Sequence, residues 1–193
     1  MRRTIQTALY ALSWLVQRGV PVMARAEWSV YLSNTKLSLS LSLSLRMACT
    51  DSLLSRQENS NKPCDTGSTP PEISNEFPNV DLSQLDPIFP SKTGLYTFNR
   101  ESILRRGFEA RHWLSQRHEK VIAVVSHSAF LRTSVAHAWF MNADYRIFSF
   151  RTSGNEQTVW REVEWTARKG GGMGRSIVGP ADVKPSDFGE IEG

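Results

Sequence analysis

Of the four histidines in the chain, His127 stands where a side chain is aimed at a bound group. It follows Val121-Ile-Ala-Val-Val125, a continuous apolar run rich in β-branched residues, and precedes a helical pattern from Phe130 to Phe140. Such a run marks a central strand covered on both faces. A buried strand that stops at a polar tripeptide, here Ser126-His127-Ser128, and turns into a helix is where α/β folds place ligands. Backbone N–H groups and the helix dipole favour anions at such a point, so a phosphate there would meet the imidazole and the amides together. The competing reading is a core-edge histidine with a satisfied hydrogen bond. His112, His118 and His137 fall on helical stretches among polar neighbours and read as surface or packing residues.

Other candidate chemistry fails on context. Cys64-Asp65-Thr66-Gly67-Ser68 contains the Asp-Thr-Gly triplet of aspartic proteases, whose mechanism needs two carboxylates sharing a proton. Here the triplet occurs once and no hydrophobic strand leads into it. Gly170-Gly-Gly-Met-Gly174 has neither the preceding strand nor the following Lys-Ser/Thr of a phosphate loop. Two cysteines, Cys49 and Cys64, build no disulfide framework, and no Cys or His spacing fits zinc, so neither a metal nor a cofactor is expected.

The elements that must position His127 are read from periodicity. Ile5, Leu9, Leu12, Leu15 and Val16 form one stripe of a helix over 4–18, Gly19 stops it, and 20–25 reads as a short strand. From Lys36 to Leu45 the chain alternates Leu and Ser, the period of a half-buried strand. A repeated CT dinucleotide also encodes alternating Leu and Ser, and pyrimidine tracts are typical near intron ends. On that ground 29–56 is expected to be a low-complexity insertion, a translated intron between Trp28 and Gln57. Residues 59–92 read as an ordered loop or short helices anchored by Phe77, Leu82, Leu85, Ile88 and Phe89. A helix over 100–119 turns Ile103, Leu104, Phe108, Trp113 and Leu114 to a core, with Arg100, Arg105, Arg106, Arg111 and Arg117 largely on a solvated face. Two strands, 145–151 and 156–165, form a hairpin, and 166–193, Gly-rich and poor in apolar residues, reads as a disordered tail.

Composition bounds the function. With 40% hydrophobic and 22% charged residues, collagen-like, fully disordered and coiled-coil classes are excluded. No stretch approaches a spanning helix, and the opening Met-Arg-Arg lacks a signal core, so no membrane association and a cytoplasmic location are expected. Lys and Arg (23) interleave with 19 acids for a net charge of +4, which argues against nucleic acid and is compatible with an anionic small molecule.

Three separated segments resemble one family. Arg2-Arg3-Thr4-Ile5-Gln6-Thr7-Ala8 resembles the arginine-helix start of the histidine phosphatase superfamily, the phosphoglycerate mutase-like proteins. Gln57-Glu58-Asn59-Ser60 with Pro63-Cys64-Asp65-Thr66-Gly67 resembles the segment bringing the family's acidic residue, particularly in fungal members. Val124-Val125-Ser126-His127-Ser128-Ala129-Phe130-Leu131-Arg132 resembles its second-histidine motif. The resemblance covers 1–28 and 57–165. It implies an α/β fold, a three-layer α/β/α sandwich with a mostly parallel sheet, and phosphomonoester hydrolysis through a phosphohistidine. It implies a small phosphorylated substrate or a phosphate anion as partner.

By motif position, the resemblance implies that Arg3 is a phosphate-binding arginine, a bidentate partner for phosphate oxygens. The resemblance likewise implies Glu58 as the general acid and His127 as the second histidine that donates to the phosphoryl group, while Asn155 resembles a late asparagine near the pocket. Glu27 is the runner-up for the acid. The family's nucleophile lies in an Arg-His-Gly motif on its first strand, and the chain contains no Arg-His-Gly. The expectation is therefore an incomplete domain over 1–165, truncated before its first strand and inactive, or else a non-catalytic anion-binding or interaction protein.

Overall fold

In the computed structural model, residues 2–26, 29–34, 67–142, 144–152 and 158–189 are described, 29–34, 151–152, 158–159 and 169 by their backbone alone. Glu27, Glu58, Asn155, both cysteines, the Asp-Thr part of the Asp-Thr-Gly triplet and the Leu-Ser alternation lie outside them.

The amphipathic start forms two helices, α1 (Arg2–Ala11) and α2 (Ser13–Val16), where one was expected. The axis breaks at Leu12, whose φ of −117° leaves the helical region, yet Ile5, Ala8, Leu12 and Leu15 stay on one buried stripe. Gly19 ends the run as read, and β1 (Val22–Arg25) follows. Next come β2 (Ser29–Asn34), α3 (Pro70–Glu76), the two-residue β3 (Val80–Asp81), α4 (Arg100–Ser115) and β4 (Val121–Val125). The Thr69 hydroxyl and Glu72 carboxylate form a capping box that starts α3, and the Asn99 side chain accepts from the Ser102 amide at 2.8 Å to start α4.

The class is α/β, but the sheet is not mostly parallel. Its order is β3-β1-β2-β4; β1 and β3 are parallel, while β1–β2 and β2–β4 are antiparallel. The cause is local. Ser29–Asn34 follows β1 after only three residues, and a connection that short closes an antiparallel pair, whereas a parallel one needs a crossover of a dozen residues or so. The first six residues of the suspected insertion thus stand between β1 and β4.

β4 is covered on both faces, as its apolar run predicts, but among the described residues it is an outer strand, not a central one. Ala123 and Val125 join the cluster built from α1, α2, β1, α3 and β3. Ile122 and Val124 pack against the opposite cluster, built from α4 and the segment after β4. A strand sandwiched between helices needs no polar face even at the sheet's border.

α4 ends earlier than expected and presents a different face. Ile103 and Leu114 are buried as read, but Leu104 and Phe108 are 37% and 58% exposed, and the buried stripe runs Ile103, Arg106, Gly107, Ala110, Leu114. Arg106 is therefore not on a solvated face: its guanidinium lies 4.6 Å from the Phe130 ring centre. Gly107 explains the rotation, because a Cβ there would lie 2.2 Å from the Ser134 carbonyl oxygen. Only a glycine lets α4 approach this backbone so closely. Gly107→Ala is expected to destabilise the fold by about 1–3 kcal/mol through overpacking, read as a lowered denaturant midpoint at unchanged slope. A midpoint unchanged within error would refute this account of the packing.

β5 (Phe148–Thr152) and β6 (Thr158–Glu162) form the expected antiparallel hairpin, with Trp160 stacked on Phe148 at 4.6 Å between ring centres. The reading of everything after 165 as a disordered tail is corrected for 166–189. α6 (Glu164–Lys169) runs into the Gly-rich loop, the Ala181 amide donates to the His137 carbonyl at 2.8 Å, and a 3-10 turn, Pro185–Phe188, buries Phe188. Among the described residues no helix is long and apolar enough to cross a membrane.

Candidate functional site

The register of the sheet places the C-terminal ends of β1 and β4 at one edge, since Arg25 pairs with Ser29 and Val30 with Val125. His127 lies two residues beyond that edge. Its backbone is extended (φ −85°, ψ 144°), it caps α5 (Ser128–Phe130), and its carbonyl accepts from the Leu131 amide at 3.1 Å. The side chain is half-buried between the buried Ser126 and Ser128. The position read from the sequence, a histidine at a strand-to-helix junction, is the position observed.

The helix that starts there is unusual. After one α turn it widens into a π-helical segment, Leu131–Val135, closed by the Ala136 amide on the Leu131 carbonyl at 2.7 Å. Thr133 and Ser134 hydroxyls donate back to the Ala129 and Phe130 carbonyls, both at 2.8 Å, which satisfies two buried hydroxyls inside the widened turn. Such bulges recur at functional sites.

Three side chains hold this helix. The Ser128 hydroxyl donates to the Phe140 carbonyl at 2.8 Å. Arg132 forms a fork on Asp187, with Nη1 to Oδ2 at 3.0 Å and Nη2 to Oδ1 at 2.7 Å, and stacks on Trp139 at 4.6 Å. Arg111 closes the far end by donating from Nη1 to the Ser134 and Val135 carbonyls, the latter at 3.0 Å. These carbonyls end the helix, where a cation also complements the dipole. Burial pushes the Arg111 guanidinium below its ordinary pKa. Next to it, burial and then the Arg111 charge push His137 below the usual histidine range, and His137 sits at a left-handed φ of 52°. It lies two residues beyond the π-helical segment and not on a helix.

Arg3 lies half-buried in the first turn of α1, and α1 packs on β2 and β4. Its neighbour Arg2 is engaged by Glu76 at 2.5 Å, so Arg3 is the arginine of the pair without a carboxylate partner among the described residues. Arg3 is carried on α1, which packs on β4, and His127 lies two residues beyond the end of β4; among the described residues no hydrogen bond or ion pair joins the two. Glu58, Glu27 and Asn155 lie outside the described residues. His112 stacks on the exposed Phe108 ring. Among the described residues no group of three His, Cys, Asp or Glu could hold a metal ion.

Sequence reasoning missed Arg111, Arg132 and Asp187 as positioning groups. Arg132 was visible within the histidine motif, but its partner is 55 residues away. The chain matches no family model, no curated protein and no solved structure.

Proposed function

We propose that this chain is a phosphoglycerate mutase-like, histidine phosphatase-type protein that binds the phosphate group of a small phosphomonoester, or phosphate itself, without turning it over. The observation that carries this reading is the junction at His127: a strand covered on both faces ends on a half-buried histidine at the first turn of a firmly held helix. Imidazole and backbone N–H groups at one point are a phosphate-binding combination. Arg3, on the helix that packs against β4, supplies the guanidinium. In the same reading Glu58 is the acid, Asn155 a further phosphate contact, and the helices on either side of β4 are the outer layers of an α/β/α sandwich. Ser29–Asn34 then occupies the sheet position beside β4, and the protein acts in the cytoplasm.

Phosphoryl transfer through histidine needs a nucleophile besides His127, and none of the other three histidines stands in an Arg-His-Gly motif. Binding therefore survives where transfer does not. Titration of the 193-residue chain with inorganic phosphate is expected to show saturable binding. Both His127→Ala and Arg3→Ala should weaken it roughly tenfold or more, the loss of one charge-assisted contact. No hydrolysis of p-nitrophenyl phosphate is expected. Turnover abolished by His127→Ala would overturn the non-catalytic reading, and phosphate binding indifferent to both substitutions would overturn the site.

A further inference from the structure

The C-terminal residues 170–189 run as a strap from the Asp144 carboxylate, past the His137 carbonyl, to the helix after β4. Along the way the Arg146 guanidinium donates to the Ile177 carbonyl at 3.1 Å, and Ala138 bridges Pro180. The strap ends on Phe188, 2% exposed, with the Arg100 guanidinium 4.9 Å from its ring centre. Its one charged grip on the helix is Asp187, whose carboxylate also accepts from the Lys184 amide at 3.0 Å and so is aimed by the 3-10 turn itself. Arg132 adds a bond to the Asp182 carbonyl at 3.1 Å. The guanidinium thus binds the strap at two places while its plane rests on Trp139.

We propose that the Arg132–Asp187 pair is a latch through which the C-terminal strap holds the helix that begins at His127. The other two grips on this helix, at Ser128 and at the Ser134 and Val135 carbonyls, come from groups whose contacts are to backbone oxygens and do not involve the strap. The latch is the grip that a change in the strap can release. A forked pair with both side chains mostly covered is strong enough to matter and weak enough to open locally. That the latch governs anion affinity rests on the reading of His127 given above; the grip on the helix does not.

Hydrogen exchange on the full chain separates these points. In Asp187→Asn, the amides of Leu131 and Ala136, which close the α and π turns, are expected to exchange roughly tenfold faster, and Asp187→Glu should keep them near the wild-type rate. Arg132→Lys, which keeps the charge but loses the fork, should fall between. Acceleration confined to 181–189 would overturn the latch, because the strap would then be bound to the helix without holding it. Equal acceleration at the amides of Leu12 and Val20, in the opposite cluster, would overturn it too, as general destabilisation. In the same samples the dissociation constant for inorganic phosphate should rise severalfold in Asp187→Asn. If the wild-type chain binds no phosphate, the reading of His127 falls while the exchange rates still decide the latch.

Discussion

Arg146→Met is expected to lower stability by about 3–5 kcal/mol, a fall in melting temperature of about 6–20 °C. The side chain is 1% exposed and spends every nitrogen on other parts of the chain: Nε to the Trp139 carbonyl at 2.7 Å, Nη1 to Glu162 at 2.8 Å and to the Thr166 carbonyl at 3.1 Å, and Nη2 to the Ile177 carbonyl at 3.1 Å. Methionine keeps much of the volume and none of the donors. The Glu162 carboxylate is left partly buried without its cation, and three carbonyls lose their donor. Leaving such a partner behind costs more than the pair itself contributed. Arg146→Lys should recover only part of the loss, since one ammonium cannot reach groups arranged for a planar fork. A thermal shift of a degree or two for Arg146→Met would show that water replaces these contacts and that the junction is not a fold determinant.

Asp144→Ala is the second large effect and differs in kind. The carboxylate is fully buried and accepts from the Gly174 amide at 2.9 Å, the Arg175 amide at 2.8 Å, and the Ser176 amide and hydroxyl at 2.6 and 2.7 Å. Convergent backbone N–H groups around a carboxylate form an anion-binding nest, here filled by the chain's own side chain. Its removal is expected to cost about 3 kcal/mol, limited by local release of the strap rather than by global unfolding. Trypsin cleavage after the exposed Arg175 should then accelerate roughly 100-fold while the melting transition moves less than for Arg146→Met. Unchanged cleavage would mean that the loop is held by something other than Asp144.

These two residues explain why 170–177 are held although their composition reads as disordered. Gly170-Gly-Gly-Met-Gly174 looks unstructured because glycine carries no packing surface, yet positive φ at Gly170, Gly172 and Gly174 lets the loop coil so that the next amides point inward. The anion they surround comes from a residue some 30 positions earlier, a distance that composition does not sense. The same holds for α4. Its helical period was legible, as was its polar start, but its buried face was set by the close approach at Gly107, so Leu104 and Phe108 turned outward and Arg106 inward.

The candidate site divides along the same line. His127 was legible because a β-branched apolar run and a helical pattern meet at it, and both signals are local. That Arg3 rides on a helix touching β4 required the fold, as did the three grips on the helix after His127.

Local pattern alone was enough for the α/β class, the strand before His127, the start of a helix after it, the β5–β6 hairpin and the amphipathic stripe of α1 and α2; the helical pattern read on to Phe140 stops at Val135. These follow from preferences and periods that act over a few residues. Which strand lies beside β4, in which direction the sheet runs, which face of α4 is buried and whether the C-terminal residues are held were decided only by tertiary structure. They depend on one backbone reaching another and on a charged group meeting its partner across 30 to 55 positions of chain, as the Asp144 carboxylate meets the Gly174 amide and Arg132 meets Asp187, and such meetings leave no period in the sequence.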